Sequence, residues 1–173
     1  MELGNGKIVP ACAYPVSNGL EVYTDTERVR RDRRMILELL LAMHKIKCQS
    51  CPRKGGNCRL VELCNEYGVE GIPVCAECPL SGQDCLLARG EVCLGPITMA
   101  GCNAACTRER RGCEGCRGPI TRPDVLEEAF RTYEKHGIGI DKVLDEFGKY
   151  CSSFPAYDEV VKILKGYADE SKC

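Results

Sequence analysis

Residues 75–118 read CAECPLSGQDCLLARGEVCLGPITMAGCNAACTRERRGCEGCRG and place Cys75, Cys78, Cys85, Cys93, Cys102, Cys106, Cys113 and Cys116 within 42 residues. Thiolates bind soft and borderline metals strongly, and eight of them match two four-ligand sites. Gly101, Gly112, Gly115 and Gly118 allow positive φ and close backbone approach, so that amide N–H groups can point at cluster sulfurs and raise a reduction potential. Pro79, Pro96 and Pro119 stiffen the same loops. Hydrophobic periodicity is weak from Cys75 to Gly118, so a metal is expected to organise the stretch. Two structural zinc ribbons would also use eight cysteines, but through paired C-x2-C knuckles, whereas the middle spacings here are mostly six to eight. The spacing favours iron–sulfur clusters.

The surrounding composition agrees. The chain has 173 residues and 15 cysteines, and aromatic residues make up only 6%, so its local structure is expected to lean on metals or cross-links. Its start, Met1-Glu2-Leu3-Gly4-Asn5-Gly6, has neither the basic residues nor the apolar run of a secretory signal. A cytoplasmic location is therefore expected, where cysteine-dense chains more often bind metal than form disulfides. The most apolar stretch, Met35 to Met43, is too short for a membrane span and contains Glu38, so no membrane insertion is expected. A net charge of −1 offers no global field for nucleic acid; Arg28, Arg30, Arg31, Arg33 and Arg34 read as a solvated helix face or a docking patch.

Working toward the N-terminus, Ile8-Val9-Pro10 and Leu20-Glu21-Val22-Tyr23-Thr24 flank a Ser17-Asn18-Gly19 turn and predict a short β-hairpin. Thr24-x-x-Glu27 has the form of a capping box opening a helix from about Glu27 to Met43. Its apolar face broadens toward the C-terminal end, which is expected to be buried. A second helix is expected from Leu60 to Tyr67, stopped by Gly68. Past Gly118-Pro119, Pro123 to Lys135, Asp141 to Tyr150 and Tyr157 to Tyr167 read as three amphipathic helices without a chemical motif. The fold class expected is mainly α with irregular cluster-binding loops, a short N-terminal β-hairpin and small iron–sulfur-organised domains. The units would be 1–26, a β segment; 27–68, a helical cluster domain; 69–120, a two-cluster domain; and 121–173, a helical tail.

A further constellation, His44-x3-Cys48-x2-Cys51-x6-Cys58, follows the first helix, where a rigid element can fix the first ligand. Gly55-Gly56 would let the loop return Cys58. One histidine and three cysteines suit one corner-bound cluster and also structural zinc. If His44 were simply a packed residue, Cys64 is the nearest replacement.

Two stretches carry resemblances. Ile8-Val9-Pro10-Ala11-Cys12-Ala13-Tyr14-Pro15-Val16, Val22 to Arg30 and Leu37 to His44 resemble the large iron–sulfur subunit of complex I and related hydrogenase subunits. That resemblance implies a [4Fe-4S] cluster on His44, Cys48, Cys51 and Cys58, although the gap before Cys58 is six residues where the family usually has five. Cys12 corresponds to the last [2Fe-2S] ligand of that family, whose other three have no counterpart, so no [2Fe-2S] cluster is expected. From Cys75 onward, Cys93-Leu94-Gly95-Pro96-Ile97-Thr98, Gly101-Cys102-Asn103-Ala104-Ala105-Cys106 and Cys113-Glu114-Gly115-Cys116-Arg117-Gly118-Pro119 resemble the C-terminal part of the small subunit of cytosolic nickel–iron hydrogenases. Its flavodoxin-like half has no counterpart here.

Together these imply an electron-transfer subunit with about three [4Fe-4S] clusters, held by His44, Cys48, Cys51, Cys58 and the eight later cysteines. Its partners would be other redox subunits: a catalytic subunit and a flavin or iron–sulfur subunit. The rival class is a zinc-stabilised protein- or nucleic-acid-interaction module. A third reading, an enzyme with an open iron site, lacks an acid–base pair near Cys58 or Cys64. The roles of Cys64, Cys151 and Cys173 are open at this level.

Overall fold

The helix α4, Pro123–Lys135, lies between two apolar cores in the computed structural model, which describes residues 1–55 and 58–171. Proline at its first position costs no hydrogen bond, because that N–H has no intrahelical partner. Leu126, Ala129, Phe130 and Tyr133 face one core, and Val125 faces the other. In the larger core α4 packs with α5, Ile140–Cys151, and α6, Tyr157–Glu170, through Val143, Phe147, Val160 and Leu164. Leu86, Leu87, Leu94 and Ile97 of the cysteine-rich loops enter the same core, so the helical tail and those loops are buried against each other.

Tyr133 ties the two layers. Its ring is 1% exposed and its hydroxyl donates to the Cys93 carbonyl at 3.0 Å. Tyr133→Phe leaves that buried carbonyl without its donor and is expected to cost about 1–2 kcal/mol. Thermal unfolding followed by circular dichroism measures it.

The smaller core joins α1, Glu27–Met43, to α2, Arg59–Tyr67, through Leu37, Leu41, Val61 and Cys64. The expected extents of both helices hold, but the cap differs. Thr26, not Thr24, is the N-cap, and its hydroxyl accepts from the Val29 N–H at 3.2 Å while donating to Glu2 at 2.6 Å. Two threonines precede the helix, and only the later one stands next to its first turn. The C-terminal half of α1 also departs from expectation: Leu37 and Leu41 are buried, whereas Met35, Ile36, Leu39, Leu40 and Met43 are 53–89% exposed. Its apolar surface is wider than the partner it meets.

An antiparallel N-terminal pair is present, formed by β1, Glu2–Leu3, and β2, Val22–Tyr23. The strand expected at Ile8–Pro10 contributes only a bridge from Ile8 to Glu2. Pro10 has no N–H to extend a ladder, so residues 1–3 take the place beside β2.

Pairing also stiffens the loops. Val74 donates to the Thr98 carbonyl, Ala100 to Ile72, Met99 to Gly118, and Ile120 to Ile97, which places segments 72–74, 97–100 and 118–120 side by side. Cys75 and Cys102 lie just beyond the ends of two segments, and Cys116 just before the third. Each segment is too short to show alternation in sequence.

Candidate iron–sulfur sites

His44, Cys48, Cys51 and Cys58 line one cleft of about 310 Å³. Each has a separate cause. α1 ends at His44, whose N–H caps Leu41; a tight turn, with Ser50 N–H donating to Lys47, carries Cys48 and Cys51; and Cys58 is the N-cap residue of α2. Gly56, the second of the two glycines expected to return Cys58, lies outside the described residues. Burial, reinforced by Cys51 and Cys58, pushes the Cys48 thiol up to about 12. Such a thiol is neutral at physiological pH, and a bound metal displaces its proton.

The eight later cysteines divide. Cys75, Cys78, Cys85 and Cys93 line a second, tight cavity. The first, second and fourth are buried, and Cys85 is half-buried. Burial raises the thiol of Cys75 well above its usual value, with Cys93, Cys78 and Cys85 adding to it and Lys54 opposing. Burial raises that of Cys93 too, against the N–H groups of Cys113 and Gly95. The Cys113 N–H lies 3.3 Å from Cys93 Sγ, the kind of backbone donor that steadies a thiolate. A Cβ on Gly95 would sit at ordinary contact distance, 3.4 Å from Cys93 Sγ and 3.5 Å from Cys75 Sγ, so the backbone of this residue packs against both sulfurs.

Cys113 faces both Cys93 and Cys102, and burial pushes its thiol up to about 12 against the Gly115 N–H and the Thr98 hydroxyl. The remaining two of the group are looser: Cys106, on the short helix α3, Ala105–Arg108, is half-buried and Cys116 is exposed. No described contact joins Cys106 to Cys113. Cys12 is exposed and lines neither of the two cysteine cavities.

The groups share walls. The Gly55 N–H donates to the Ala76 carbonyl at 3.3 Å, docking the loop that follows Cys51 onto the Cys75–Cys78 turn, and Lys54 lines both cavities. The Cys113 amide then links the second group to the third.

Several residues here carried no signal in sequence. Glu77, 6% exposed between Cys75 and Cys78, accepts from Asn65 of α2 at 2.8 Å and from the Gly101 N–H at 2.9 Å through one oxygen. Its other oxygen is buried without a partner among the described residues. Cys64 is 1% exposed and close to Cys58, packed in the smaller core. Cys151, fully buried at the end of α5, donates from Sγ to the Gly115 carbonyl at 3.5 Å; burial and then Cys116 push it up to about 11. Only the rarity of a buried, unpaired cysteine in an amphipathic helix could have marked it. Among the described residues no three His, Cys, Asp or Glu side chains close on a point as one mononuclear ion requires.

Comparison with known proteins supports [4Fe-4S] binding by this chain. Residues 33–73 match the family described as the NADH-ubiquinone oxidoreductase-G iron–sulfur binding region. Over 62 residues, 36% of its length, the chain is 42% identical to the mitochondrial 78 kDa subunit of NADH-ubiquinone oxidoreductase from Candida albicans, covering 8% of that protein. Over 48 residues, 27% of its length, it is 52% identical to the delta subunit of sulfhydrogenase 2 from Pyrococcus furiosus, covering 20% of it. Over 70 residues, 40% of its length, it is 39% identical to a subunit of the NADP-reducing hydrogenase of Solidesulfovibrio fructosivorans, covering 12% of it. The chain thus spans no more than about a fifth of the length of these relatives. No solved structure matches significantly. Among the described residues no helix is long and apolar enough to cross a membrane.

Proposed function

We propose that this chain is an electron-transfer subunit that relays electrons through about three [4Fe-4S] clusters in a cytoplasmic, multi-subunit, hydrogenase-related oxidoreductase. One cluster rests on His44, Cys48, Cys51 and Cys58; a second on Cys75, Cys78, Cys85 and Cys93; a third on Cys102, Cys106, Cys113 and Cys116. The observation that carries the reading is the shared walls: Gly55 on Ala76 between the first and second groups, and the Cys113 amide on Cys93 between the second and third. Ligand groups in direct succession suit a relay.

Bound at such sites, a [4Fe-4S] cluster takes up and passes on single electrons. The chain supplies the rest. Buried walls from Val74, Leu86 and Leu87 lower the dielectric around the second group, the Gly95 backbone packs against two of its sulfurs, and N–H donors at Cys113 and Gly95 steady the thiolates. No acid–base pair lines these cavities, so bond-making falls to the partners: a catalytic subunit and a flavin or iron–sulfur subunit. The units 27–68 and 69–120 correspond to the first cluster and to the other two, with 1–26 and 121–173 as supporting segments.

Iron and acid-labile sulfide analysis with low-temperature EPR of anaerobically purified protein tests this. Three cluster signals are expected, and Cys106→Ser is expected to remove one while leaving that of the His44 site. Stoichiometric zinc with negligible iron would overturn the reading.

A further inference from the structure

The end of α1 carries an apolar stripe that nothing in the fold covers. Met35, Leu39 and Met43 repeat at intervals of four, with Ile36 and Leu40 beside them, and all five are more than half exposed. Contiguous apolar surface of this kind on a polar chain marks a contact site. The stripe does not stop at a featureless surface: it runs directly into His44 and the cleft of the first cysteine group. Among the described residues that cleft is lined by Lys45, Lys47, Arg53 and Lys54 and by no acidic side chain, and of the four cations only Lys47 is engaged, by Glu128 at a loose 3.8 Å.

From this juxtaposition we infer that the α1 stripe and the basic rim of the His44 cleft together dock a separate, acidic electron-carrier protein. The inference rests on the relay reading above. An apolar centre with a charged rim is the usual anatomy of a docking face, and four uncompensated or weakly compensated cations select a partner whose rim is negative. The position adds the reason: a carrier seated there faces the exposed His44 imidazole and the half-buried Cys48 and Cys51, the most accessible of the proposed ligand groups. A second copy of this chain fits less well. Two-fold pairing of α1 would set Lys45 and Lys47 of one copy against the arginine-rich N-terminal half of the other helix, basic upon basic.

The test follows cluster reduction in the intact, iron-loaded chain by stopped-flow absorbance, with two reductants: dithionite and a reduced acidic plant-type ferredoxin. Leu39→Gln with Leu40→Gln changes exposed side chains only, outside the lining of the cleft. The double variant is expected to slow reduction by ferredoxin about tenfold without changing the dithionite rate, and raising salt is expected to slow reduction of the wild type by ferredoxin. A ferredoxin rate equal to wild type in the double variant, or a wild-type ferredoxin rate that salt does not lower, overturns the docking site while leaving the relay reading intact. So does light scattering that shows a wild-type dimer dissociated by the double variant, which would assign the stripe to a second copy. A chain with no dithionite-bleachable chromophore overturns the relay reading and the docking site with it.

Discussion

Gly115→Ala is expected to be the most destabilising single substitution outside the proposed ligands. Gly115 has φ +85°, a region costly to residues with a side chain, and an added Cβ would overlap the Cys151 sulfur and touch Leu94 at 3.4 Å. Overpacking of this kind costs roughly 1–3 kcal/mol and the left-handed backbone about 1–2 kcal/mol more. For a chain of this size that corresponds to a fall in Tm of roughly 10 °C. Because the clash lies at the contact between the third cysteine loop and α5, the EPR signal of the third group should broaden or vanish first. Cys151→Ala in the same chain removes the overlapping sulfur but not the strain, so the double variant is expected to recover part of the loss. Calorimetry of the single and double variants measures that coupling. Equal Tm values for wild type and Gly115→Ala would show that α5 is not packed on this loop.

The second large effect is expected at Cys93. Its sulfur lines the second cavity and takes the N–H of Cys113, so Cys93→Ala removes a proposed ligand from one group and the acceptor for an amide of the next. Metal binding and folding are coupled in small cysteine-rich units. The expected result is loss of one cluster's iron and sulfide together with an altered signal from the third group, while the His44 site is retained. Cys12→Ser, at an exposed thiol outside every group, is expected to change neither iron content nor spectrum. Parallel iron analysis of the two variants separates a ligand from a bystander.

The chain's own letters disclosed some of this and hid the rest for identifiable reasons. Helices α1, α2, α4, α5 and α6 were legible because apolar residues recur with the helical period and Pro123 and Gly68 punctuate them. The His44 group was legible because its members are close in sequence, and a turn and two helix ends bring them to one cleft without help from distant segments. Cys75 to Cys116 could be counted but not divided, since the division depends on how segments 72–74, 97–100 and 118–120 pair. Each is three or four residues long and bears no alternation. The exposure of Leu39 and Leu40 was equally hidden: α1 is apolar over most of its circumference near its end, and periodicity alone cannot tell which sector meets α2. Glu77 is a single acid between two cysteines, with no local pattern to mark its burial.

That carboxylate has a mechanical meaning. One oxygen of Glu77 is gripped from α2, which follows Cys58, and from Gly101, which precedes Cys102, while its own backbone lies between Cys75 and Cys78. It is therefore a keystone on which the rims of all three cysteine groups rest. Displacing any one rim strains the hydrogen bonds that hold the other two.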